Sequence, residues 1–457
     1  MTIAERQGRM MKRLLWLYFW LLIFEGALRK WFLPQLSTPL LIVRDPVVLL
    51  IYWMAIQRGI FPKNIFMTWT GLLAAFCFLA SFTGIGTLKI ALFGLHADFL
   101  HLPLIFLAPE IFDFNDVKQI GKWLFILSVP MAALALLQFR ASPGAWINAV
   151  AGNEAGGQQL PAALGRIRPA GVFSFVTGMV SFLTVLAAYL AWHFADGKIY
   201  PRRLVYAAMG AIAVSLMVSG SRSAVASVTI VVAALVLIGM SRGVASIGYL
   251  KYAALFLVAF FVMSRIPVFH EGLMVHEERF EGGGGIHEGL VMRFFDELVN
   301  SFNACATTPL LGLGLGVGTN AGAGLLSGER QFLFSEGEWG RVICESGAVL
   351  GLAYIALRFA IFFRVLGVSL KSYRERYALP LLLLSAMGLD LLTGQFGQPT
   401  ELGFVVFACG LCLVPAAARE SGPADGGGPK AQAAGPAKIR GRSEYAEALH
   451  GSINDGA

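Results

Sequence analysis

Twelve apolar runs divide this chain, and runs of that kind permit few folds. They fall at about 14–28, 39–56, 65–83, 98–112, 123–139, 172–194, 204–219, 224–240, 252–266, 344–363, 378–394 and 401–418. Each is close to the roughly 20 residues that a helix needs to cross hydrocarbon. In lipid the backbone must satisfy its own polar groups, which leaves helices or closed barrels. A barrel would show short alternating segments, whereas these runs are continuous. The expected fold is therefore an all-α polytopic membrane protein of about 12 transmembrane helices. Charged residues make up 14% of the chain, against about 25% in soluble domains, and this excludes an ordinary globular fold.

Lysine and arginine set the expected orientation. With the N-terminus inside, the six inner segments before the tail hold 17 basic residues. The outer segments, with more than twice the total length, hold 11. By the positive-inside rule both termini are cytoplasmic, N-in and C-in. The net charge of +8 then reflects topology, and no nucleic-acid partner is implied. The basic start (Arg6, Arg9, Lys12, Arg13) is followed by no small-residue cleavage site, so the first run is expected to remain as a helix. Two units are predicted: a membrane domain over 1–418 and a Gly-, Ala- and Pro-rich cytoplasmic tail over 419–457, expected to be disordered.

The long break in hydrophobicity, about 267–343, faces outward between helices 9 and 10, with ten acidic residues against four basic ones. Polar chemistry in so apolar a chain belongs in such a segment. Residues 290–302 predict an amphipathic helix that carries Arg293. The ladder PLLGLGLGVGT follows, suited to close backbone packing or to offering N–H groups to an anion. In EGEWGRVICESG, Glu338, Arg341 and Glu345 stand at i, i+3 and i+7 and share a helical face. That face reads either as a carboxylate proton acceptor or as a salt-bridged helix start. Arg166 and Arg168 precede a span, and Arg222 sits in SGSRSA at an outer junction. Arginine forks match phosphate oxygens, so Arg168, Arg222 and Arg293 would suit a lipid diphosphate. Local pairing with carboxylates is the alternative.

Other features point to less chemistry. His270, His276 and His287 lack zinc-protease spacing, and no metal or cofactor is expected. Cys409 and Cys412 lie inside an apolar run as packing residues. Arg44–Asp45 and Asp390 read as a transport path or, more simply, as charges that neutralise one another in the bundle.

Taken together, RPAGVFSF entering a span, SGSRSA, Arg293, PLLGLGLGVGT and E-S-G before span ten resemble the O-antigen ligase and polymerase (Wzy-type) membrane proteins. The resemblance covers about residues 120–418. It implies a metal-independent inverting glycosyltransferase of the bacterial inner membrane, acting on the periplasmic side. Such a protein moves a glycan from an undecaprenyl diphosphate carrier to a glycan or lipid acceptor, with polysaccharide assembly proteins as further partners. Arg222 and Arg293 match the diphosphate-binding positions best, with Arg168 behind them and Arg341 expected in the same set. The family motif begins with His-Asn nine residues before the glutamate that aligns with Glu345. Here Glu336 and Gly337 stand instead, so Glu336 or Glu338 is the expected proton acceptor. Two other readings stay open: a transporter or flippase for lipid-linked sugars or small solutes, and a non-catalytic component of an export complex.

Overall fold

The computed structural model describes residues 3–152, 159–243, 261–262, 264–281, 299, 301–327 and 337–415. The chain divides into two units, Met1–Ala417 and Ala418–Ala457, and the tail lies outside the described residues. So do the predicted ninth span up to residue 260 and most of the predicted 290–302 helix.

The described residues are helical, with one isolated antiparallel bridge, Pro161 to Ile167. The main helices are α1 (Ile3–Ala27), α2 (Asp45–Gln57), α3 (Ile65–Ala80), α4 (Leu88–Leu95), α5 (Leu104–Ile111), α6 (Phe114–Arg140) and α7 (Val176–Ala195). They continue with α8 (Arg202–Val218), α9 (Arg222–Ser241), α10 (Pro267–Glu281), α11 (Asn320–Ser327), α12 (Glu338–Arg374), α13 (Leu379–Thr393) and α14 (Pro399–Cys412). Among the described residues, six helical stretches are long and apolar enough to cross a bilayer, or seven if one bent pair counts as a single span. This is a helical membrane protein.

Helices α13 and α14 are only 15 and 14 residues long, shorter than a full crossing needs. Helix α14 is buried from Glu401 to Cys412, the mark of a helix enclosed by others. It packs on α13, α5 and α7.

The run expected as one span over 98–112 is instead a bent pair. Residues Leu88–Leu100 and Leu104–Ile111 meet at 51°, with a π-helical turn at His96–Leu100. Polar His96, Asp98 and His101, followed by Pro103, interrupt the apolar sequence there. Carbonyls released by the break find side-chain donors: Tyr52 donates to the Leu100 carbonyl at 2.8 Å and Tyr354 to that of Asp98 at 2.9 Å.

A second break lies in α12, where Gly347 is non-helical at φ 80°. Here the glycine ladder completes the backbone bonding. Leu313 N–H donates to the Cys344 carbonyl at 2.8 Å, and Gly314 N–H to that of Glu345 at 3.0 Å. On its other side, the Leu313 carbonyl accepts from Ile85 N–H at 2.9 Å, and Leu315 N–H donates to Ser81 Oγ at 2.9 Å. The ladder thus runs between the end of α3 and the break in α12, bonded to both. A Cβ on Gly347 would collide with the Leu310 carbonyl, and one on Gly316 with the Ile90 carbonyl.

Loop contacts fall into two groups. In one, Lys12 bridges Asp116 at 2.7 Å and Asp113 at 2.9 Å, Arg242 pairs with Asp196 at 2.7 Å, and Tyr200 donates to the Lys118 carbonyl. In the other, Lys30 donates to the Gly171 carbonyl, Arg166 pairs with Glu271, and Arg279 reaches the Ala162 carbonyl.

Gly347→Ala should lower the thermal midpoint sharply in a detergent melt, through both a positive φ and a backbone collision. Gly367→Ala, a helical site with open space around it, should leave the midpoint unchanged or raise it.

Candidate functional site: a buried ion network and an arginine rim

The three residues predicted to share a helical face do share one, and they form the centre of a buried network. Arg341 donates from Nε to Glu338 at 3.0 Å, from Nη1 to Glu345 at 2.9 Å, and from Nη2 to Asp98 at 2.7 Å and Glu338 at 2.9 Å. Arg358 donates to Glu338 at 2.8 Å. Its remaining donors cap the end of α13 at the carbonyls of Leu391, Asp390 and Gly394, and its guanidinium lies 3.8 Å from the Phe396 ring centroid. Asp98, Glu338, Glu345, Arg341 and Arg358 are each at most 3% exposed.

Three carboxylates face two guanidiniums here, and backbone donors offset the excess negative charge. Gly316 and Gly318 N–H donate to Glu345 at 2.8 and 2.9 Å, and Phe396 N–H to Glu338 at 3.3 Å. The glycine ladder does present N–H groups to an anion, and that anion is Glu345. Both ladder uses expected from sequence therefore coincide, because close packing on α12 is what brings the N–H groups to the carboxylate.

This geometry is the salt-bridged arrangement that the sequence offered as the alternative for this face. Arg341, expected in the diphosphate set, has four of its N–H groups on internal carboxylates. Glu338, expected as a proton acceptor, accepts from Arg341, Arg358 and Phe396 N–H. Arg293 and Glu336 lie outside the described residues.

A second polar cluster was only partly foreseen. Arg44 and Asp45 do not neutralise each other. Arg44 donates to Glu25 at 3.1 Å and to the Pro399 carbonyl, while Asp45 lies 2.7 Å from His96 Nδ1 and 3.2 Å from His101 Nε2. Tyr18 completes a chain, 3.1 Å from His101 Nδ1 and 3.4 Å from Arg44. Asp45, His96 and His101 are close enough to ligate a cation. Hydrogen bonding from both imidazoles to Asp45 accounts for the same geometry.

The arginines at the 140–171 end come together around a tight hairpin. Ala162 N–H donates to the Arg166 carbonyl at 2.8 Å, and Arg168 N–H to that of Leu160 at 2.9 Å. The turn takes positive φ at Leu164 (53°) and Gly165 (70°), as a type I′ turn requires. Arg166 and Arg168 flank buried Ile167, and alternation turns both toward the opposite face. Arg166 locks the hairpin in place, forking onto Glu271 of α10 at 2.7 and 3.1 Å. It also caps α6 at the Phe139 and Arg140 carbonyls. Arg168 donates to the Pro161 carbonyl at 3.1 Å.

The SGSRSA junction packs against this hairpin. Gly220 adopts φ 53°, and a Cβ there would lie 2.9 Å from Ala162, 3.3 Å from Val275 and 3.9 Å from Arg168 Cγ. Ser221 caps α9 through Ala224 N–H, which makes Arg222 the first residue of that helix. A cation at a helix N-terminus opposes the helix dipole, so helix stability does not explain its position. Arg279 of α10 joins from the third side. Sequence reasoning missed it, because nothing in HEERFE distinguishes one loop arginine from another. Beside the hairpin lies a recess of about 300 Å³, lined in part by Gln159, Pro161, Gly165 and Arg166.

His276 anchors α10 at this rim. Its Nε2 lies 2.9 Å from the Leu216 carbonyl at the end of α8 and 3.4 Å from Ser219 Oγ. Burial lowers its pKa; the Leu216 bond opposes this and the charge of Arg279 adds to it, leaving the imidazole below its usual range.

No protein-family model matches the chain, and no curated protein matches it with significance.

Two outcomes follow from this geometry. Arg341→Met would remove the guanidinium that Asp98 and Glu345 pair with and one of the two on Glu338, and should cost about 3–5 kcal/mol, read as lost folded protein in size-exclusion profiles. Adding Glu345→Gln should restore part of it. Because the His276 pKa is lowered in the fold, the unfolded chain takes up that proton first, at about pH 6.5. Stability from His276 should therefore fall as pH drops below about 6.5. Compared at pH 7.5 and 5.5, the wild-type thermal midpoint should fall further than that of His276→Gln.

Proposed function

We propose that this protein polymerises or transfers a surface polysaccharide, taking a glycan from an undecaprenyl diphosphate carrier to an acceptor hydroxyl on the periplasmic side of a bacterial inner membrane. The observation that carries this reading is that Arg168 and Arg279 meet at one hairpin, with the junction leading into Arg222 packed against it through Gly220, at the end of the molecule assigned to the outside by the positive-inside rule. Segregation of the loop contacts supports the same N-in, C-in arrangement of about twelve spans. Each loop contact in the two groups described above joins segments assigned to the same side.

In the proposed reaction the acceptor oxygen attacks the anomeric carbon of the donor sugar. A new C–O bond forms, the bond to the diphosphate breaks with inversion, and its electron pair leaves with the diphosphate. The acceptor proton is released as the bond forms, and Glu336 is the residue retained for receiving it. Negative charge grows on the leaving diphosphate, where fixed guanidiniums stabilise it more than they stabilise the bound donor. Arg293 is assigned to the same set by its place in the long loop. Arg166 holds the hairpin that carries Arg168. Metal ions and cofactors have no part in this scheme.

Transport of a lipid-linked substrate is the second reading, favoured by the charged groups buried around His96 to His101. Against it, Asp45 is held by both His96 and His101. Purified protein supplied with a sugar-loaded undecaprenyl diphosphate donor and acceptor separates the readings. Enzymatic release of undecaprenyl diphosphate is expected, reduced roughly a hundredfold in Arg168→Ala/Arg222→Ala. No release by folded wild-type protein, or equal release by the variant, would overturn the assignment.

A further inference from the structure

The N-terminal end of α1 carries a feature that the proposed reaction does not use. Arg6, Arg9 and Arg13 stand at i, i+3 and i+7, within a single sector of the helix. Together with Gln7, Met10 and Met54 they line a recess of about 450 Å³ between α1 and α2. That lining holds three guanidiniums and no carboxylate. Its floor is apolar, formed by Met10 and the buried side chain of Met54.

An apolar track continues from the recess along the same sector. Met10, Leu17 and Phe24 are exposed at seven-residue intervals on α1, and Leu49, Trp53 and Ile56 are exposed on the neighbouring α2. A second recess, of about 560 Å³, adjoins the first at Arg9 and is lined by charges of both signs, Lys12 and Arg58 with Glu5 and Glu110. The Arg58 guanidinium folds over Gly8 and Met11.

We infer that this recess binds an anionic phospholipid, with its phosphate diester among Arg6, Arg9 and Arg13 and its acyl chains along Leu17 and Phe24. The positive-inside rule accounts for basic residues in this segment. It does not account for three arginines lining one concave recess that opens onto an exposed apolar stripe. Guanidinium forks match phosphate oxygens two at a time, and basic pockets between membrane helices suit acidic head groups. A zwitterionic head group would bring its own cation against three arginines, so the recess selects net negative charge. The inference is independent of the proposed glycan chemistry.

Titration of fluorescent phosphatidylglycerol, with phosphatidylcholine of the same chains as control, onto the delipidated full-length chain in neutral detergent tests it. Phosphatidylglycerol is expected to bind at least about tenfold more tightly. At about 1 kcal/mol per basic residue, Arg6→Gln/Arg9→Gln/Arg13→Gln should weaken it on the order of a hundredfold. The corresponding triple lysine variant, with charge kept and forks lost, should fall between the two. If the glutamine triple does not fold, Arg13→Glu at its exposed position should still weaken phosphatidylglycerol by about tenfold or more. Equal binding of the two lipids, or unchanged phosphatidylglycerol binding in the variants, would overturn the inference.

Discussion

An arginine held by three carboxylates in an apolar interior fixes where several chain segments must meet. Arg341 binds Asp98 from the π-helical turn of the bent pair, and Glu338 and Glu345 from its own helix. Glu338 brings in Arg358, and Arg358 closes the end of α13. Glu345 brings in the glycine ladder through two N–H groups. Taking such charges out of water is costly unless each is paired, so this pairing ties these segments together. The two helix breaks belong to this arrangement. Carbonyls freed at Gly347 and near His101 are met by ladder N–H groups and tyrosine hydroxyls, as backbone groups at membrane depth must be.

The rim depends on that frame less directly. Its arginines are held by a hairpin, a helix junction and α10, each locked by its own contacts: Arg166 on Glu271, Gly220 against Ala162, and His276 on the end of α8. A rim of fixed cations needs little rearrangement to meet a diphosphate, and preorganised charge is what stabilises a leaving group. The buried network pairs its charges internally, and the proposed function rests on the rim instead.

Much of this was legible in the sequence, and the losses have physical causes. Helical membrane character followed from the apolar runs, because few structures satisfy a backbone in lipid. The Glu338–Arg341–Glu345 face followed from helical spacing. Spacing cannot say what faces such a triad, however, and Asp98 lies 243 residues away from Arg341. Arg44 and Asp45 looked like mutual partners because they are adjacent, yet consecutive helical side chains point apart and each found a different partner. Glycine spacing announced close packing without naming the carboxylate that would use its N–H groups. Arg279 carried no local signal; only the fold brings it to the hairpin.

The central claim is a cationic rim on the side of the membrane opposite both termini. Single cysteines at Gly144 and Lys198, both exposed, test it in intact cells with Cys305 and Cys344 replaced by alanine. A membrane-impermeant thiol reagent should label Gly144→Cys from outside, and Lys198→Cys only after the membrane is opened. Labelling of Lys198→Cys in intact cells with Gly144→Cys protected would place the rim on the cytoplasmic face and contradict the account.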